Sequence, residues 1–141
     1  MTIVLDANIL IRAVLGRRVY DVLKRYPHTV FAIPARMVDE ARLELPAIIK
    51  NRGGDPEIDS AVLEDIVDGL HVIEPDIYAH FEADAMARIG KRDATDWPVV
   101  AVALYLGSPI WTEDADFFGC GIPTWTTDRV ELFLRSGATE Q

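Results

Sequence analysis

A single cysteine, Cys120, stands among 141 residues. It excludes an intramolecular disulfide and a cysteine-built zinc site, and it points to a reducing, cytoplasmic setting. Histidine is scarce as well. His28, His71 and His80 fall in surface-like contexts, and no Ser–His or Cys–His pairing for nucleophilic catalysis is evident. Long apolar runs are absent: the longest, Val99 to Leu106, is far short of the ~20 residues a membrane span needs. The opening MTIVLDAN has neither the basic start nor the long apolar segment of a secretory signal. Positive charge is also lacking, since 14 basic against 23 acidic residues leave a net −9. Such a balance argues against nonspecific nucleic-acid binding, unless the acids crowd one cleft and bind divalent metal there.

What is present is a globular composition, 50% hydrophobic and 26% charged, which excludes a disordered or fibrous chain. The length suits one domain over residues 1–141, in which folding buries roughly 70% of the unfolded chain's surface.

Short apolar runs alternate with helical periodicity along the whole chain. Thr2-Ile3-Val4-Leu5 and Thr29 to Ile33 read as strands buried on both faces, the first stopping at Asp6 and the second at Pro34. Helices are predicted around Ile9–Val14, Tyr20–Lys24, Val38–Ile49, Ile58–Val67, Ile77–Ile89 and Trp97–Leu106, with a kink or break at Pro46. His71-Val72-Ile73 is a weak strand, Ile110-Trp111-Thr112 a clear one, and Pro123 to Thr126 a short last one before a helix near Val130–Leu134. The alternation predicts an α/β/α sandwich around a mainly parallel sheet of four or five strands.

Ligands of such sheets sit outside the carboxyl ends of the strands. Asp6 follows the first strand there, and Asp114 and Asp116 follow the strand at Ile110. Asp96 heads the most apolar helix, and Glu40 lies early on the helix after the second strand. Each has an ordinary explanation. Asp96 before Trp97-Pro98 suits a helix N-cap, Asp114 and Asp116 suit a turn, and Glu40 suits a solvated helix face. Asp6 is harder to dismiss, because a carboxylate ending a buried strand must be met by donors or by metal. Together, several converging acids would repel one another and raise their pKa values unless cations are present. Oxygen-only ligands suit Mg²⁺ or Mn²⁺, and two such ions roughly 3.5–4 Å apart can activate water and stabilise a leaving oxygen in phosphodiester cleavage.

The segments Val4-Leu5-Asp6-Ala7-Asn8, Pro34 to Glu40, Asp96 to Ala103 and Thr112-Glu113-Asp114-Ala115-Asp116-Phe117 resemble, in that order, the motifs of the PIN domain as found in VapC-type toxins of toxin–antitoxin pairs. The resemblance spans nearly the whole chain. It implies a PIN-like fold and a metal-dependent endoribonuclease acting on single-stranded RNA. By position it implies that Asp6, Glu40, Asp96 and Asp114 are metal ligands, that Asp116 is a fifth acid, and that Asn8 and Thr112 are polar groups orienting them. It further implies a small antitoxin partner and a homodimer. Two departures stand out: Pro34 replaces a small hydroxyl residue, and Asp93 lies three residues before Asp96 and competes for its role. Asp96 is preferred because Val99, Val100, Ala101 and Ala103 then fit the motif's apolar spacing.

An RNA track must be local in so acidic a chain: Arg12, Arg17 and Arg18 are the candidates, in a basic first third that also holds Lys24 and Arg25. Lys91 and Arg92, which suit solvated helix faces as well, flank the third motif. Trp97, Trp111 and Trp125 could stack bases in principle, but core packing accounts better for most of them. The apolar helices around Leu10–Leu23 and Leu45–Leu63 are candidate docking faces. A catalytically weak RNA- or protein-binding regulatory module is the alternative reading. A receiver domain also gathers aspartates at strand ends, but here the second strand ends in Pro34 and no suitable lysine follows a strand.

Overall fold

The fold is that of a computed structural model describing residues 1–140, with side chains through residue 137. Five strands form one sheet in the order β3-β2-β1-β4-β5: β1 (Thr2–Leu5), β2 (Val30–Pro34), β3 (His71–Ile73), β4 (Ile110–Trp111) and β5 (Thr124–Trp125). Every pairing is parallel, so the expected mainly parallel sheet is wholly so. Ile3, Val4 and Leu5 of the central strand are fully buried, as a continuous β-branched and aliphatic run requires when helices cover both faces.

Helices α1 (Ala7–Leu15), α2 (Arg18–Arg25), α3 (Ala35–Asn51) and α4 (Pro56–Asp68) join β1 to β2 and β2 to β3, and they pack on one another. The return from β3 to β4 passes back across β1 through α5 (Pro75–Tyr78), α6 (Glu82–Ile89) and α7 (Trp97–Leu106). Parallel crossovers are right-handed in about 98% of cases, so reversing the direction of travel puts this second group on the opposite face. Helix α7 lies against β1 and β2, and its residues 97–103 are buried all round. The last helix, α8 (Val130–Glu140), follows β5.

Three local expectations are revised. Helix α3 runs unbroken through Pro46. An interior proline costs about 3 kcal/mol, and it is offset by burial on both sides of it, where Met37, Val38, Leu45 and Ile49 each contribute about 1.5–3 kcal/mol. The helix expected over Ile77–Ile89 is divided, with a 3₁₀ turn at Ala79–Phe81 between α5 and α6. Of the helical stretches Leu10–Leu23 and Leu45–Leu63, offered by the sequence as docking faces, Leu10, Leu45 and Leu63 lie in the core at 0%, 0% and 1% exposure, and Ile58 is the large apolar residue left exposed.

Candidate metal centre

The sheet changes direction at β1, with β2 and β3 to one side and β4 and β5 to the other. The carboxyl ends of β1 and β4 therefore bracket a topological switch point, where open parallel sheets bind ligands. Asp6 and Thr112 occupy those two ends, 3% and 0% exposed. Asp6 Oδ1 accepts the Ile9 N–H at 2.9 Å and so caps α1. Its other oxygen, Oδ2, accepts the Thr112 hydroxyl at 2.5 Å. Thr112 Oγ1 accepts in turn from the Asp114 N–H at 2.9 Å. One buried chain of bonds thus links the first strand, the fourth strand and the loop that follows it.

That loop, residues 112–123, carries Asp114 and Asp116. Asp114 Oδ1 accepts the Asp116 N–H at 2.9 Å and opens a 3₁₀ turn over Ala115–Phe117, as the turn-forming explanation anticipates. A second 3₁₀ turn, Ala94–Asp96, leads into α7. Its cap is Asp93, whose Oδ1 accepts from Thr95 N at 2.9 Å and Thr95 Oγ1 at 2.6 Å. Asp96 stands at the head of α7 but its side chain caps nothing. Asp93 caps the 3₁₀ turn, and the side-chain cap of α7 that the sequence allowed for Asp96 is not made.

One carboxylate oxygen from each of Asp93, Asp96, Asp114 and Asp116 lies within 4.8 Å of the others, all four being half-buried. Asp93 and Asp96, alternatives in the sequence, are both in this group. Asp96 Oδ2 is buried and meets no hydrogen-bond donor. Burial pushes the Asp96 carboxyl up to about 8, and the charge and proximity of Asp93, then Asp114 and Asp6, add to the rise. Asp93 itself is held below its ordinary value by the Thr95 hydroxyl and N–H. Burial likewise raises Asp6 to about 6, with Asp114 and Glu40 contributing, against the pull of its two donors.

Asp6 and Glu40 are electrostatically coupled to this group without being within it. Glu40, half-buried on α3, is raised by burial, then by Glu44 and Asp93. Pro34 precedes α3 and supplies no side-chain cap, so the departure noted at that position leaves the helix start without a hydroxyl. Asn8 is exposed on the first turn of α1 and lines a groove of about 1030 Å³ together with Arg12, Arg17, Arg18, Arg52 and Glu113. Trp97 and Trp111 are 8% and 0% exposed, and the Trp111 indole donates to Thr127, so core packing claims both. Trp125 stacks on Phe133 with ring centroids 5.8 Å apart. Sequence reading overlooked Arg88 and placed Arg92 only as a basic flank of the third motif, whereas the guanidinium groups of both reach the 112–123 loop. The only signal was the Gly119-Cys120-Gly121 spacing that makes room for them.

The class is now defined: a doubly wound parallel α/β domain with an all-oxygen acidic centre at its switch point. The sequence matches the PIN domain family over residues 4–135, and the chain belongs to that family. Its structure is similar to that of VapBC2 from Rickettsia felis bound to a promoter DNA fragment, at 13% identity and TM-score 0.69, covering 89% of this chain and 98% of that one. It is similar to PAE2754 from Pyrobaculum aerophilum at 18% identity and TM-score 0.70, with 96% of each chain covered. FitAcB from Neisseria gonorrhoeae gives 20% identity and TM-score 0.62 over 90% of this chain and 98% of that one. At these identities the likeness is one of fold. Among curated proteins none matches the sequence.

Proposed function

We propose that this chain is a divalent-cation-dependent endoribonuclease that hydrolyses single-stranded RNA, acting as the toxin of a toxin–antitoxin pair. The observation that carries the reading is Asp96 Oδ2, a buried acceptor without a donor inside a group of four carboxylates. An oxygen left so costs about 1–3 kcal/mol unless something positive meets it. Carboxylates without histidine or cysteine fit Mg²⁺ or Mn²⁺.

Asp96 and Asp114 are the central ligands in this reading, with Asp6, Glu40 and Asp116 completing the catalytic acids and Asp93 joining them. A bound Mg²⁺ or Mn²⁺ supplies the positive charge that activates a water and stabilises the departing oxygen. The chain's own residues do the rest. Thr112 holds Asp6 and the Asp114 amide in one register. Asp96 carries a proton near neutral pH in the cation-free protein and gives it up when a cation arrives. Asp116, whose carboxylate takes no hydrogen bond among the described residues, is free to orient water. The RNA backbone runs along the groove of Arg12, Arg17 and Arg18, to which Arg52 is added, and reaches the acids past Asn8.

The neighbours that are themselves toxin–antitoxin complexes, including one from Klebsiella pneumoniae, support an antitoxin partner. Leu43 on α3 and Ile58 on α4, exposed at 82% and 63%, are apolar groups available to it, and homodimerisation is part of the same reading. Among the described residues no helix is long and apolar enough to cross a membrane, which accords with a cytoplasmic setting. Cleavage of labelled single-stranded RNA is expected with Mg²⁺ or Mn²⁺ and is expected to vanish with EDTA or in Asp6→Asn. Cleavage that survives both treatments would refute the proposal.

A further inference from the structure

The loop between β4 and β5 poses a physical problem. Parallel neighbours are usually joined by a helix, which fixes the connection. Here residues 112–123 make the crossover with only one 3₁₀ turn, yet they carry two of the four clustered carboxylates. The positions of Asp114 and Asp116 relative to Asp93 and Asp96 must be set by something else.

Arg92 joins the two pieces. Its backbone is tied to the end of α6, with its own N–H and that of Asp93 both donating to the Ile89 carbonyl, at 2.9 and 3.1 Å. Its side chain crosses to the loop and donates from Nη1 to the carbonyls of Asp116 at 3.2 Å and Phe118 at 2.5 Å. One turn earlier Arg88, oriented by Asp84 at 3.0 Å, donates to the Cys120 carbonyl at 3.0 Å. The loop is shaped to receive both groups. Gly119 and Gly121 have φ of +89° and +87°, which side-chain-bearing residues rarely adopt. A Cβ on Gly119 would stand 3.1 Å from Arg92 Nη2, and one on Gly121 would stand 2.5 Å from Arg88 Nη1. Arg92 forms no ion pair with the acids among the described residues. It grips carbonyls and leaves the carboxylate oxygens free.

We propose that Arg92 is a positioning residue of the metal centre: by holding the Asp116 and Phe118 carbonyls it fixes the Asp114–Asp116 carboxylates against the Asp93–Asp96 pair. The proposal rests on the ribonuclease reading above, and the test separates the two. The full-length chain is titrated with Mn²⁺ by calorimetry and assayed on single-stranded RNA for kcat and KM, as wild type, Arg92→Ala, Arg92→Lys and Gly119→Ala. Residues that orient metal ligands typically contribute about 10–100-fold to affinity or activity. Arg92→Ala is expected to weaken Mn²⁺ binding and lower kcat within that range, with KM little changed because the arginine groove is untouched.

Gly119→Ala, which displaces the guanidinium from the other side, should reproduce the loss. Arg92→Lys, which keeps the charge but not the forked donor, should recover only part of it. The double variant Arg92→Ala/Gly119→Ala should be no worse than the more impaired single one, since both break the same contact. Should Arg92→Ala fail to fold, Arg92→Lys and Gly119→Ala decide alone. Wild-type Mn²⁺ affinity and kcat in every folded variant overturn the positioning role and leave the nuclease reading standing. A wild-type chain that binds no Mn²⁺ overturns both.

Discussion

Asp6 and Thr112, 106 positions apart in sequence, share a 2.5 Å hydrogen bond in the floor of the acidic centre. The threonine hydroxyl also accepts the Asp114 N–H, so a single oxygen spaces the carboxylates of two segments. Thr112→Val keeps the shape and removes the hydroxyl. It leaves Asp6 Oδ2 and the Asp114 amide unpaired, at about 1–3 kcal/mol each. Chemical denaturation should show a loss in that range. Asp6 should also titrate higher than in the wild type, because the Thr112 bond is the strongest influence opposing its burial.

Asp96→Asn should move stability and function in opposite directions. The asparagine has no charge to desolvate, and its amide can donate to Asp93 as the protonated Asp96 carboxyl does. Without cation the variant is expected to melt above the wild type. Mn²⁺-induced stabilisation and RNA cleavage should both be lost, cleavage by about 100-fold or more, as for a removed charge-stabilising group. A melting temperature below wild type would show that Asp96 serves the fold rather than a cation.

The pH dependence of the cation-free protein follows from the same group. Asp6 and Asp96 are raised from the ordinary 3.8 to about 6 and about 8. Between the unfolded and folded values the native state binds more protons than the unfolded one, so stability falls as pH rises. Their contribution is full below about 3.8 and is lost through pH 6 and then pH 8. Thermal unfolding in EDTA should therefore show a melting temperature that declines from pH 5 to pH 9. Saturating Mn²⁺ should remove the decline, because its binding replaces the protons. A flat profile in EDTA would contradict the burial of these charges.

How much of this was readable in the sequence depended on whether the signal was local. β1 and α7 are continuous apolar runs that only burial explains, and Asp6 follows the first of them directly. The strand-end rule then places Asp6, Asp114 and Asp116 at one edge without coordinates. The parts of Asp93 and Asp96 were not readable, because the sequence set them as alternatives for one acid and gave no sign of a turn between Asp93 and the helix opening with Trp97-Pro98. The interposed 3₁₀ turn, capped by Asp93, brings both acids into the group and leaves Asp96 Oδ2 bare. Pro46 misled because its cost is local while the burial that outweighs it is tertiary. The grip of Arg88 and Arg92 on the 112–123 loop rests on backbone carbonyls, whose one trace in the sequence is the Gly119-Cys120-Gly121 spacing.

The arginines of the groove permit a test that instability cannot mimic. Arg17 and Arg18 occupy the N-cap and first residue of α2, where the helix dipole favours acids and disfavours cations. The Arg17–Asp21 pair, 3.8 Å apart and largely exposed, is worth little. Replacing both by glutamate should therefore leave the fold as stable or stabilise it, by about 0.3–1 kcal/mol per charge. If they contact the RNA backbone, the affinity for single-stranded RNA should fall while the protein melts no lower. The slope of log K against log salt should shrink by about 1.4, from two lost contacts at about 0.7 each. An unchanged slope would remove Arg17 and Arg18 from the RNA path and leave Arg12 and Arg52 to carry it, since those two line the same groove from α1 and the end of α3.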